Sequence, residues 1–253
     1  MSESERTSDA SLLRLVAIHA ALVAAPVLAV ALALRLWLLA LPLAIVVGVV
    51  VTAVRVRGVD DRVARAVGAT EIGPDDQPRL AGLAESVAMA SGVASPRLFV
   101  ITSSSVNALS WGAGNGPTCL AVTTGMLDAA DPIILEAVVG HHLGPARTSS
   151  LAETTLAASL FGPFAKGPLT GPVVSLIQGD DERSVVHADL EGVRATQYPP
   201  GLVRALHTVR SYPTDLDVPP ALAGLFFAAP VADDDPFAVH PPLDDRIDLL
   251  REV

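Results

Sequence analysis

Two long uncharged stretches dominate the hydrophobic pattern of this chain. Residues 15–34 (LVAIHAALVAAPVLAVALAL) separate Arg14 from Arg35, and residues 36–54 (LWLLALPLAIVVGVVVTAV) separate Arg35 from Arg55. Each is close to the ~20 residues with which a helix crosses a hydrocarbon core. Arg35 is the only charge between them, so the pattern predicts a transmembrane helical hairpin that turns near Arg35 and accommodates Pro26 and Pro42 inside its spans. A cleaved signal peptide ending at Ala31-Leu32-Ala33 is the alternative, and an immediate second span of full length argues against it.

Beyond the spans the pattern becomes that of a compact domain. EIGPDDQP (71–78) is polar and turn-forming. In RLAGLAESVAMASG, Leu80, Leu83, Val87 and Met89 or Ala90 recur at helical spacing, with Gly92 as the stop. RLFVIT (97–102) and TCLAVTT (118–124) are strand-like, with the turn-forming GAGNGP before the second. DPIILEAVVGHH opens with Asp131 as N-cap and Pro132 at the first helical position. Residues 151–178 are apolar but cut by Gly162-Pro163, Gly167-Pro168 and Gly171-Pro172, which predicts a buried or membrane-surface loop. ERSVVHADLEGVRATQY and PGLVRALHTVRSY read as two helices meeting at Pro199-Pro200. The expected division is a polar tail (1–14), two transmembrane helices (15–56), a linker (57–78) and a folded domain (79–253). The fold class is α+β, mainly helical, with a small sheet.

Composition supports a lipid-embedded portion and narrows the partners. The chain is 51% hydrophobic with a mean hydropathy of +0.48, above the range of ordinary soluble domains. Its net charge is -10, and its basic residues are all arginine apart from Lys166 and form no dense cluster, so nucleic acid is not an expected partner. Arg6 and Arg14 precede the first span, and Arg55, Arg57, Arg62 and Arg65 follow the second. This bias predicts an integral protein of the plasma membrane with its main domain facing the cytoplasm. The lone Cys119 excludes an internal disulfide and reads as a small apolar core residue. Asp233-Asp234-Asp235 reads as a solvated loop.

The candidate chemistry lies in VVGHHLGPARTSS (138–150). It comes close to H-E-x-x-H, in which two helix histidines four residues apart hold zinc and the glutamate activates water. His141 is present, but His142 stands at the glutamate position and Pro145 at the second histidine. A proline there lacks the amide hydrogen and clashes with the carbonyl of residue 141, so the helix should bend or end. Adjacent His141 and His142 point roughly 100° apart on a helix and do not form a replacement pair.

Four segments in order, SVNALSWG (105–112), LAVTTGMLDAADPIILEAVVGHHLG (120–144), VVHADLEGVRA (185–195) and HPPLDDRI (240–247), together with the amino-terminal hairpin, resemble the HtpX-type membrane zinc metallopeptidases, a family that includes the CAAX prenyl endopeptidases. The resemblance implies a metallopeptidase-like domain with a degenerate metal site. It places zinc ligands at His141, Pro145 and Val185 and the general base at His142, so one ligand of three survives. It implies that Asp189 orients His141 without touching metal, and that Asn107 and His240 lie on the peptide or carbonyl side, Asn107 on an edge strand open to an extended peptide. Arg246 is expected to pair with a nearby acid. His187 falls on the face of its helix away from Val185, and His207 is left open.

The expected function is therefore that of a pseudopeptidase that binds polypeptide or membrane-protein partners without cleaving them and carries no cofactor. The alternative is an active zinc metalloendopeptidase that rebuilds its centre from His141, His240 and an unplaced acid.

Overall fold

The computed structural model describes residues 3–33, 37–114, 116–147, 150–165, 167–178, 181–231, 235–237 and 240–253. The expected turn at Arg35, and Asp233 and Asp234 of the acidic run, lie outside the described residues.

Helices α1 (Glu3–Ala33) and α2 (Trp37–Arg57) form the hairpin. Within them Ser11–Val30 and Ala40–Arg57 are long and apolar enough to cross a membrane. Leu43, Val46 and Val49 are exposed, as side chains that face lipid would be. The two helices touch closely where a Cβ on Gly48 would meet the Ala20 carbonyl at 2.5 Å. His19 Nδ1 and Thr52 Oγ1 bridge them at 2.9 Å. Helix α1 starts at Glu3, so most of the stretch expected as a polar tail is helical.

Residues 57–78, expected as a linker, carry α3 (Val59–Ala66) and β1 (Ala69–Glu71). Strand β1 is only three residues long and owes its place to pairing. It runs antiparallel to β2 (Arg97–Ile101), and Arg97 clasps Glu71 through two bonds of 2.9 and 2.7 Å. Between them α4 (Pro78–Ser91) ends at Gly92, whose φ of 67° is the left-handed cap that glycine supplies without strain. Its buried stripe is Leu80, Ala84, Val87, Ala88 and Ser91, and Met89 and Ala90, one or the other of which the spacing placed on that stripe, are both exposed.

Strands β3 (Ala108–Trp111) and β4 (Cys119–Thr123) complete a mixed sheet of order β1-β2-β4-β3, in which β2 and β4 are parallel. Alternation along β4 sends Leu120 and Val122 into one apolar cluster and Cys119 and Ala121 into another. Burial pushes the Cys119 thiol up to about 12, which leaves it an inert core residue.

The first cluster is closed by α5 (Thr124–Ala129), α6 (Pro132–Leu143), α10 (Pro199–Ser211) and α11 (Leu243–Arg251), while α7 (Ser150–Phe161), α8 (Thr170–Gln178) and α9 (Asp181–Thr196) lie between α6 and α10 in the chain. Helix α7 belongs to the second cluster, and with α8 it corrects the expected loop over 151–178. The glycine-proline pairs set the helix boundaries: Gly162-Pro163 ends α7, and Gly167-Pro168 opens a short turn before α8. Ahead of the first break Leu156, Leu160 and Phe161 bury an apolar face, which rewards helix formation. The result is a mainly helical α+β domain with a four-stranded mixed sheet behind an apolar hairpin.

Candidate functional site

Helix α6 begins as its sequence dictates. The Asp131 side chain accepts from the Ile134 amide at 2.9 Å, and Pro132 fills the first turn. It ends at Leu143 and continues as a 3-10 turn over Gly144–Arg147, because Pro145 cannot donate to the carbonyl of residue 141. The terminal histidines face α9 and β3.

Contact between α6 and α9 is almost backbone on backbone. A Cβ added to Gly192 would lie 2.7 Å from the His141 amide nitrogen, and one added to Gly140 would lie 3.1 Å from the Gly192 carbonyl. This bare seam brings Asp189, one helical turn before Gly192, onto His141. Asp189 Oδ1 is 2.7 Å from His141 Nδ1. A carboxylate only accepts, so Nδ1 carries the proton and the lone pair of a neutral His141 resides on Nε2. Behind Asp189, Arg246 of α11 donates from Nε to Oδ2 and from a terminal nitrogen to Oδ1, both at 2.8 Å, and from its other terminal nitrogen to the Phe227 carbonyl at 2.8 Å. Asp189 and Arg246 are each 1% exposed. Burial opposes the Asp189 charge, yet the Arg246 guanidinium and the His141 contact hold its carboxyl at about 2.

His142 turns the other way. Its ring stands at 89° to that of His141, with centroids 4.9 Å apart. Its Nδ1 meets Ser110 Oγ of β3 at 3.1 Å, while Nε2 is buried with no hydrogen-bond partner. Burial first, then His141 and Arg246, push its pKa well below the ordinary range, so the ring is neutral. His141, His142, Pro145 and Val185 all line one cavity of about 50 Å³, with Ser110 and Thr154 adding hydroxyls. That volume suits water.

Asn107 does not face this cavity, which corrects its expected place on an open edge. It is fully buried and works as a bracket. Its amide nitrogen donates to the carbonyls of Thr214 (3.1 Å) and Ala228 (2.9 Å), and its oxygen accepts from the amides of Ala108 (3.0 Å) and Ala228 (3.2 Å). The outer edge of β3 is itself covered, by a bridge between Leu109 and Phe226 and a bond from the Phe227 amide to the Ala108 carbonyl. His240 donates from Nε2 to the Phe226 carbonyl at 2.7 Å and is not part of the cavity wall. Burial lowers its pKa to about 4. His187 and His207 are exposed on α9 and α10.

The covering segment, Phe226 to Ala228, was not singled out by the sequence. Its Phe-Phe pair between proline-rich stretches is the signal that marks it. Phe227 packs edge-on to His141 at 5.0 Å and under the Arg246 guanidinium at 5.1 Å.

A catalytic zinc needs three protein ligands and an open position. The cavity is lined by His141, by His142 with its Nδ1 on Ser110, and by hydroxyls, a proline and a valine, and no group of three or more His, Cys, Asp or Glu side chains able to hold a metal occurs among the described residues. The donor set does not fit that ion.

The neutral histidines set an acid response. Free histidine takes a proton near pH 6.5, whereas His240 in the fold resists until about 4 and His142 also resists. Protons then bind the unfolded chain more readily, so stability present above pH 6.5 is lost as pH falls from 6.5 toward 4. Denaturant midpoints measured at pH 7.5 and 5.0 are expected to drop at the lower pH, and His142→Gln to shrink that drop. Equal midpoints in the parent protein would contradict this account.

A hairpin whose two helices are long and apolar enough to cross a bilayer leads into a small mixed sheet backed by the paired helices α6 and α9. No family model matches the chain. It is similar to protease HtpX homologs of Acidiphilium cryptum (strain JF-5), at 30% identity over 234 residues covering 77% of this chain and 81% of the relative. The homolog of Streptococcus equi subsp. equi (strain 4047) is 27% identical over 227 residues, 73% of this chain and 76% of the relative. That of Pediococcus pentosaceus is 23% identical over 230 residues. The chain belongs to the HtpX protease family.

Proposed function

We propose that this protein is a membrane-anchored pseudopeptidase of the HtpX type, which keeps the scaffold, lacks the hydrolytic centre and engages polypeptide or membrane-protein partners without cutting them. One observation carries the reading. The three positions that the resemblance gives to zinc ligands converge on a single small cavity, and there they supply one imidazole, a proline ring and a buried valine. His142, at the position of the general base, has a buried and unpartnered Nε2. An enclosed neutral imidazole with no metal-bound water to act on is a poor base for peptide hydrolysis. The rebuilt centre is disfavoured because His240 Nε2 is committed to the Phe226 carbonyl.

The basic residues after α2 favour a cytoplasmic domain on the plasma membrane. With the edge of β3 covered, partners are expected to meet the protein elsewhere than by adding a strand there. The test is elemental analysis of the full-length protein after incubation with zinc, together with digestion of an unfolded protein substrate with and without chelator. The expected result is zinc far below one ion per chain and no chelator-sensitive cleavage. Stoichiometric zinc with chelator-sensitive cleavage overturns the proposal.

A further inference from the structure

Where the hairpin meets the domain, a cavity of about 740 Å³ lies between α3, the end of α7 and the 3-10 turn Pro220–Leu225. Arg55, Arg62 and Arg65 line it, together with apolar residues that include Ala158, Pro163 and Leu222. None of the three arginines has a carboxylate partner within ion-pair distance among the described residues. Arg62 donates to the Arg55 carbonyl and Arg65 to the Asp61 carbonyl, bonds that fix the guanidinium groups without neutralising them. Burial first, then Arg55 and Arg65, push the Arg62 pKa down, against the opposing charge of Asp61. A bound anion would offset both the burial and the repulsion.

The depth of the cavity says what kind of anion. Ser11 of α1 bonds Glu153 of α7, and eight residues further along each helix His19 packs on Phe161 with ring centroids 5.9 Å apart. Helix α7 therefore climbs beside the first span, in step with it, over about 12 Å. His19 is level with Thr52, to which it is bonded, and Arg55 lies about one turn below Thr52 on the domain side. The apolar wall near Phe161 is thus at the depth of acyl chains, and the arginines sit at the level of headgroups. A volume of this size holds a phosphoglycerol group and the first part of its chains.

We propose that this cavity is a binding site for one anionic phospholipid, its phosphate on Arg55, Arg62 and Arg65 and its acyl carbons against the end of α7. The test uses the full-length protein in detergent, with phosphatidylglycerol, phosphatidylcholine and inorganic phosphate as probes and native mass spectrometry as readout. One phosphatidylglycerol is expected to be retained in preference to phosphatidylcholine. Arg62→Gln and Arg65→Gln should each weaken retention about fivefold, as for one basic residue at an anionic membrane surface. Arg57→Gln, exposed and outside the cavity wall, should leave it unchanged. Ala66→Trp, an exposed position on the wall, should block the site with every charge in place and without disturbing the core. Arg65 is exposed too, so its variant separates lipid loss from misfolding. Equal retention of the two lipids, an Arg57→Gln effect as large as that of Arg65→Gln, displacement by inorganic phosphate, or retention in Ala66→Trp would each overturn the proposal.

Discussion

Asp189→Ala is expected to destabilise the domain by about 3–5 kcal/mol, the cost of leaving a buried charge without its partner. The Arg246 side chain is 1% exposed, and two of its three hydrogen bonds among the described residues end on Asp189. Without the carboxylate it keeps only the Phe227 carbonyl and the Phe227 ring face, and His141 Nδ1–H loses its acceptor as well. Denaturant unfolding of the full-length protein in detergent reads the loss. Adding Arg246→Met to Asp189→Ala should recover most of it, since an apolar side chain of similar length removes the orphaned charge. A single-variant cost below about 1 kcal/mol would mean that water reaches the pair and that the clamp is not buried in solution. Asp189 also titrates in the acid range. Its folded carboxyl sits at about 2, below the ~3.9 of a free aspartate. The stability it contributes is present above about pH 4 and is lost as pH falls toward 2, well after the histidines have responded.

The second large effect is a gain. Combining His142→Glu, Pro145→His and Val185→Glu is expected to create a site that takes up one zinc per chain, reversibly with chelator. Two links in the fold support this. All three positions line the same cavity as His141, whose Nε2 lone pair is left free by the Asp189 contact. Pro145→His also returns an amide hydrogen that can bond the carbonyl of residue 141 and extend α6 by a turn. The sign of the stability change is specific. Val185 is 6% exposed, so a glutamate there is costly without metal, and the metal-free variant should melt below the parent and rise above its own metal-free value when zinc is added. Elemental analysis and melting with and without zinc check both halves. No zinc uptake by a folded variant would show that the cavity walls have moved out of ligand geometry.

Much of the fold was legible because its signals are local. Asp131 and Pro132 announce α6, Gly92 ends α4, and uncharged runs bounded by arginine mark the hairpin. The failures are those in which tertiary contacts decide. Ala69–Glu71 is too short to read as a strand and exists by pairing with β2. In sequence the glycine-proline pairs of residues 162–172 read as irregular chain, whereas in the fold they bound helices whose buried faces supply the driving force. At the site, the pairing of His141 with Asp189 could be expected from the resemblance, and the contact is present. The burial of Asn107 could not be, since its partners Thr214 and Ala228 lie more than a hundred residues away. A separation of 32 residues likewise hides the Ser110 hydroxyl from His142 in any one-dimensional reading.

The glycine seam between α6 and α9 has a consequence for how much change the centre can absorb. Its two helices are fastened from behind, by main chain against main chain and by an ion pair on the far side of the histidine, so no metal is needed as mortar. Side chains on the cavity wall can then be exchanged while the masonry stands, and the same wall is open to being fitted with a different chemistry.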